Sequence, residues 1–90
     1  LDTRLRKNAK QISFFAEFKS MKALGEFIHM MRDKNYKIYD VEINRSKDTV
    51  GDLVGAVFWV DLNAPADHVQ VIADFSSFQE VRYVEELEVL

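Results

Sequence analysis

Few side chains in this sequence are able to transfer a proton or bind a transition metal near neutral pH. The histidines are His29 and His68, and the chain has no cysteine. We predict that His29 lies at the flank of a helix with a hydrogen bond, and that His68 faces solvent near the start of a second helix. Neither has the neighbouring ligands of a metal site, and no Ser-His-Asp grouping resembles a catalytic triad. The sequence therefore predicts no enzymatic activity, no cofactor and no metal centre.

Carboxylates form two groups that deserve a test as cation ligands. Asp40 and Glu42 share a predicted strand face, and Glu85, Glu86 and Glu88 crowd the C-terminal region. Hard cations need several oxygens that converge on one point, and neither group has the interleaved spacing of a calcium loop. Solvated charged faces are the favoured interpretation. A magnesium-binding domain that uses Asp40 and Glu42 stays open as a further hypothesis.

Length and composition restrict the classes of protein that are possible. The 90 residues make one small domain, and a hydrophobic fraction of 48% excludes a disordered tail. A net charge of −3 does not favour nucleic acid. No apolar run has the length of roughly 18 residues that a membrane-spanning helix needs. Because the chain begins at Leu1 rather than Met, we expect it to be a fragment of a longer protein.

Residues 1–10 are predicted to be a basic linker that precedes the domain at residues 11–90. The linker carries Arg4, Arg6, Lys7 and Lys10 and has no apolar periodicity. It is typical of a solvated terminus. A juxtamembrane segment is the alternative, because Lys and Arg collect on the cytoplasmic side of spanning helices.

The longest apolar stretch runs from Leu53 to Leu62, and β-branched and aromatic residues dominate it, which favours a strand. Two shorter stretches predict strands before it: residues 12–18 alternate with a period of two, and residues 36–45 carry charges on one face. In the second of these, Ile38 breaks the alternation, so we expect a bulge near Tyr39 and an edge position. Residues 46–52 are predicted to form a polar hairpin loop, and residues 81–87 are predicted to form a last strand.

Two helices are predicted between these strands. The first runs over residues 21–34 with Ser20 as N-cap, and Gly25 suggests a close approach to the sheet. The second runs over residues 65–76, because Pro65 suits a first turn. Its predicted inner face comprises Val69, Ile72 and Ala73, and Phe75 or Phe78 closes its end.

The order strand, helix, strand, strand, helix, strand predicts an α+β, ferredoxin-like fold with a four-stranded antiparallel or mixed sheet. We expect the first and third strands to lie side by side in the middle and to run parallel. Both helices cover one face, and we call the other face of the sheet the open face.

Aromatic and apolar side chains are predicted to lie on the open face. Phe15, Val57 and Trp59 would form a contiguous patch there, with Tyr39 beside it. RNA binding is disfavoured because the third strand has no basic residue and the same face carries acidic side chains. Contact with protein is the favoured interpretation, and a homodimer through the sheet would be self-complementary.

Two families share this order of elements. The chain resembles ACT domains and, more closely, the cytosolic C-terminal domain of the MgtC/SapB family of bacterial membrane proteins. The residues that carry the resemblance are 11–18, 38–43 (Ile-Tyr-Asp-Val-Glu-Ile) and 81–87 (Val-Arg-Tyr-Val-Glu-Glu-Leu). It implies an ACT-like domain at residues 11–90, a membrane domain upstream of residue 1 and a cytoplasmic location at the bacterial inner membrane. It also implies a regulatory role linked to magnesium homeostasis.

An amino-acid-sensing ACT domain attached to a metabolic enzyme is the alternative function. Ligand-binding ACT domains often have a glycine-containing turn after the first strand, where backbone amides meet the ligand. The corresponding turn here is Lys19-Ser20-Met21 and has no glycine.

Overall fold

The structure, a computed structural model, describes residues 8–44 and 53–88. It contains four strands and two helices in the predicted order: β1 (Gln11–Phe18), α1 (Met21–Asp33), β2 (Lys37–Asn44), β3 (Val54–Asp61), α2 (His68–Ser76) and β4 (Val81–Glu86). Most of the predicted basic linker and the whole predicted polar loop lie outside the described residues.

The strands form one sheet in the order β2-β3-β1-β4, which confirms the ferredoxin-like α+β fold. The prediction that β1 and β3 run parallel was wrong, because every neighbouring pair is antiparallel. The crossover through α1 makes β2 parallel to β1. The antiparallel β2–β3 pair then reverses the chain, so β3 enters between them in the opposite direction to β1.

A cluster of phenylalanine rings fills the space between the sheet and the helices. Phe14 of β1 stacks on Phe58 of β3 with ring centroids 5.0 Å apart. Phe27 of α1 and Phe75 of α2 both contact Phe14, at 6.1 Å and 4.9 Å between centroids. Both helices therefore cover the same face of the sheet, as predicted. Of the seven phenylalanines, Phe15 is the one that lies on the open face.

Helix α1 begins at the predicted residue and ends at Asp33, one residue before the predicted end. The Ser20 side chain accepts a hydrogen bond from the backbone N–H of Ala23 at 3.1 Å, and Asn35 adopts a φ of 64° just after the helix. The expected close approach of Gly25 to the sheet was wrong. Gly25 is exposed, and no heavy atom lies within 4 Å of the position of a Cβ.

Helix α2 starts later and turns a different face inward than predicted. Its N-cap is Asp67, so Pro65 precedes the helix. The buried residues are His68, Val71 and Phe75, whereas Val69 is 53% exposed. The large ring of Phe75 belongs in the core, and the positions four and seven residues before it fall on the same side of the helix. Of the predicted inner-face residues Val69, Ile72 and Ala73, only Ile72 is therefore partly buried.

Strand β2 is an edge strand with a bulge, as predicted. Ile38 pairs with Val60 and Asp40 pairs with Trp59, so Tyr39 is an extra residue without a partner of its own. A second irregularity lies in β4, where the register between β1 and β4 shifts at Arg82.

Candidate functional site

Phe15 and Val57 form the centre of the open face. They are directly opposite each other in the antiparallel β1–β3 pair, and both are half-buried. The Phe15 ring extends over Gly55, where its Cε1 atom is 2.9 Å from the position that a Cβ would occupy. On its other side it lies 6.2 Å from the ring centroid of Tyr83. The ring thus occupies the space that a side chain at residue 55 would fill, with Tyr83 as its neighbour on the other side.

Trp59 extends the apolar surface towards one end of the sheet. It pairs with Ser13 of β1 on one side and with Asp40 of β2 on the other. Because directly opposite residues share a face, the indole has a carboxylate on its outer flank and a hydroxyl on its inner flank. Ser13 is 8% exposed, and its Oγ lies 3.4 Å from the carbonyl of Leu87.

The bulge places Tyr39 at the outer end of this surface. Its hydroxyl donates a hydrogen bond to Oδ2 of Asp61 at 3.1 Å, and the ring lies 5.2 Å from Nζ of Lys37. The side chain of Tyr39 therefore spans from the edge strand to β3. Tyr39 remains 53% exposed.

Asp61 of β3 has polar and charged contacts on the open face with several described residues. Its Oδ1 accepts a hydrogen bond from the backbone N–H of Asn63 at 2.7 Å, and its Oδ2 is 4.0 Å from Nζ of Lys10. The Asn63 N–H is the largest cause of a lowered pKa of Asp61. The Tyr39 hydroxyl and the charges of Lys10 and Lys37 add to this effect, whereas partial burial opposes it.

A groove of about 660 Å³ lies at this end of the sheet, where β1 begins and β3 ends. Trp59, Ile12 and Leu87 give it an apolar wall, and Tyr39, Asp40 and Ser13 add polar groups. Such a mixture of apolar surface and a few polar groups is typical of ligand and side-chain binding sites.

The sequence-predicted residues Phe15, Val57, Trp59 and Tyr39 thus lie on one continuous side of the sheet. Sequence reasoning missed Gly55. A glycine inside an otherwise apolar strand indicates close approach of another group, and this signal was present in the sequence.

His68 departs most from its prediction. We expected it to face solvent, but it is 2% exposed. Its Nδ1 is 2.7 Å from Oε2 of Glu86, and its Nε2 is 2.6 Å from the backbone oxygen of Ala9. Both partners are acceptor oxygens, so each contact is a hydrogen bond only when the facing nitrogen carries a proton. The imidazole joins α2 to β4 and to the segment before β1, which is a structural role.

The carboxylates of the edge strand do not gather into a metal site. Asp40 and Glu42 are exposed on the open face, and Oδ1 of Asp40 accepts a hydrogen bond from the N–H of Val41 at 2.9 Å. Across residues 8–44 and 53–88, no group of three or more His, Cys, Asp and Glu side chains is placed to hold a metal ion.

No family model and no curated protein matches the chain. The geometry of its own residues therefore carries the functional argument. In the part of the chain that the structure describes, neither helix has the length and apolarity needed to cross a membrane.

Proposed function

We propose that this chain is a non-enzymatic regulatory domain that binds another polypeptide through its open face. The observation that carries this proposal is the half-exposed apolar surface of Phe15, Val57 and Trp59 on the side of the sheet opposite both helices. Contiguous apolar patches on small domains commonly mark interaction sites. Tryptophan and tyrosine are also the residues that most often dominate binding energy.

The local packing supports a surface that is already shaped for contact. Gly55 leaves room for the Phe15 ring, and the register places Val57 directly opposite Phe15. A ring that already packs against the sheet loses less side-chain entropy on binding than a fully exposed one. The contact that Phe15 makes with a partner would then lose less free energy to the ordering of its side chain.

Trp59→Asp tests the proposed surface. The core lies on the opposite face, so we expect the variant to keep its fold. Sedimentation over a range of concentrations detects pairing with a second copy. A displayed library of random peptides, selected on the wild type and counter-selected on Trp59→Asp, detects other polypeptides. Val69→Asp is the control, because Val69 is an apolar residue that is 53% exposed on α2.

We expect association that is lost in Trp59→Asp and kept in Val69→Asp. A wild-type chain that stays monomeric and selects no Trp59-dependent peptide would contradict the proposal. The homodimer through the sheet stays a prediction, and sedimentation decides it.

The wider setting that we propose is a regulatory domain of an MgtC/SapB-type protein at the bacterial inner membrane, linked to magnesium homeostasis. The resemblance at residues 11–18, 38–43 and 81–87 and the shared order of elements support it. The sequence immediately upstream of Leu1 in the genome tests it. We expect several apolar segments there, and a purely polar upstream region would contradict the membrane setting.

The groove beside Trp59 favours amino-acid sensing as the second candidate function. Its volume of about 660 Å³ is large enough for an amino acid, and Ser13 and Asp40 offer polar contacts. A ligand at a hundredfold excess over its dissociation constant stabilises the fold by about 2.7 kcal/mol. Thermal denaturation in the presence of each of the common amino acids tests this, and unchanged melting temperatures throughout would remove it.

A further inference from the structure

The middle of the open face is a row of four residues, one from each strand. The register aligns Glu42 of β2, Val57 of β3, Phe15 of β1 and Glu85 of β4. The two inner members are apolar and half-buried, and the two outer members are exposed carboxylates. Three strand spacings separate Glu42 from Glu85, which places them on the order of 14 Å apart.

The carboxylates of the open face differ in whether they have a cation nearby. Glu17 lies 3.4 Å from Nη1 of Arg82, and Asp61 lies 4.0 Å from Nζ of Lys10. Among the described residues, Asp40, Glu42 and Glu85 have no basic side chain within ion-pair distance.

In the described part of the chain, Glu85 and Asp40 accept hydrogen bonds from neutral donors, which do not cancel their negative charges. Glu85 accepts a hydrogen bond from the hydroxyl of Tyr83, and this bond is the largest cause of a raised pKa of Tyr83. Asp40 bonds to the N–H of Val41. An apolar centre is therefore bordered on both sides by negative charge that the described part of the chain does not neutralise.

A second copy of this face fits that charge pattern poorly. A twofold axis along the strands that superposes the two apolar centres brings Glu42 opposite Glu85 of the second copy. A twofold axis along the row brings Glu42 opposite the same residue of the second copy. Like charges placed opposite each other at an interface disfavour the pairing. Both of these arrangements carry the penalty, which a partner with basic flanks avoids.

We infer that the partner of the open face is a different polypeptide, whose docking segment has apolar side chains flanked on both sides by lysine or arginine. This inference rests on the proposed function. The apolar side chains cover Phe15, Val57 and Trp59, and the flanking cations approach Glu42 and Glu85.

The groove gives one further basic side chain a place to bind. Asp40, Trp59 and Tyr39 line it together, and a cation is attracted both to a carboxylate and to aromatic rings. A lysine or arginine of the partner that enters the groove meets both kinds of group.

Defined peptides test the charge requirement. We use a 14-residue amphipathic peptide of Leu and Lys, with matched peptides that carry Gln or Glu in place of Lys; this length of about 21 Å as a helix spans the row. Trp59 is the only tryptophan in the sequence, so the fluorescence of the protein shows when a bound peptide covers the open face. We expect the Lys peptide to shift the Trp59 emission to the blue, and the Glu peptide to leave it unchanged.

Charge variants then locate the contact. We expect the double variant Glu42→Gln with Glu85→Gln to weaken binding of the Lys peptide about tenfold, since it removes both carboxylates that face the cations of the peptide. The control is Glu26→Gln with Asp33→Asn, which removes the same charge from exposed positions on α1. Equal weakening by both double variants would mean non-specific attraction and would overturn the inference.

The remaining outcomes separate this inference from the proposed function. Binding of the Gln peptide as tightly as the Lys peptide, with the Trp59 shift, would overturn the inference and leave the proposed function standing. A Trp59-dependent homodimer in sedimentation would do the same. Failure of all three peptides to shift the emission would overturn this inference, and the selection from the random-peptide library then decides the proposed function.

Discussion

The ring of Phe15 lies over Gly55 of the neighbouring strand, with Cε1 2.9 Å from the position that a Cβ would take. The position of the Phe15 ring at the centre of the open face therefore depends on a residue that has no side chain. A glycine in the interior of a strand weakens the strand through backbone entropy. The aromatic ring that it accommodates covers the exposed backbone and offsets part of this cost.

Gly55→Ala should displace the Phe15 ring and lower the free energy of unfolding by about 1 kcal/mol, near the lower end of the cost of overpacking. The ring has solvent on one side and can rotate away, so we expect a changed surface more than an unfolded protein. Urea denaturation measures the stability, and NMR contacts between the Phe15 ring and residue 55 report the displacement. A variant with wild-type stability and an unmoved ring would contradict this account.

Gly25→Ala should have the opposite effect, which makes the two glycines a matched pair. Gly25 is exposed in the middle of α1 and has open space around the Cβ position. Alanine is favoured over glycine in a helix interior by roughly 1 kcal/mol. Urea denaturation should show a gain of about that size. A loss of stability would mean that Gly25 serves a contact outside the described residues.

The strand pattern was predictable from the sequence because alternation has a period of two and leaves little freedom. Phe14 and Phe58 had to share a face with their neighbours two residues away, and that face became the core. The bulge at Tyr39 followed from the break in phase at Ile38. These inferences needed no knowledge of distant contacts.

The second helix was predicted with the wrong face inward because Val69, Ile72 and Ala73 are also apolar and also have the spacing of a helical stripe. Local spacing alone does not decide between two such sets. Phe75, as the largest apolar residue, sets the true phase. The burial of His68 depends on Glu86 and on the backbone of Ala9, which are distant in sequence. A pattern of neighbouring residues in the sequence cannot predict a contact with residues so far away along the chain.

His68→Leu should lower the free energy of unfolding by about 2 kcal/mol, because it leaves the Glu86 carboxylate and the Ala9 carbonyl without their partner in a partly buried place. His29→Leu is the matched control. The side chain of His29 is 78% exposed, and its contact with Asp33 at 3.6 Å is on the surface, so we expect a change within about 0.5 kcal/mol. Urea denaturation of both variants decides the question. Equal effects of the two substitutions would show that the contacts of His68 contribute no more to the free energy of unfolding than the surface contact of His29.

The acid side of the stability profile should depend on Asp61. Its pKa is lowered in the folded chain, chiefly by the backbone N–H of Asn63 and then by the Tyr39 hydroxyl. A folded-state pKa below the unfolded one means that the ionised carboxylate favours the fold. This stabilisation is present above the unfolded pKa and is lost as the pH falls through the folded pKa.

Asp61→Asn should therefore be less stable than the wild type near neutral pH, and the difference should shrink as the solution is acidified. Urea midpoints measured from about pH 6 down to about pH 2 cover the range in which an aspartate titrates. Tyr39→Phe removes only one of the hydrogen bonds to Asp61, so it should give a smaller difference with the same direction of change. A constant gap between wild type and Asp61→Asn over the whole range would show that the charge of Asp61 does not stabilise the fold. The loss would then come from altered packing at the end of β3.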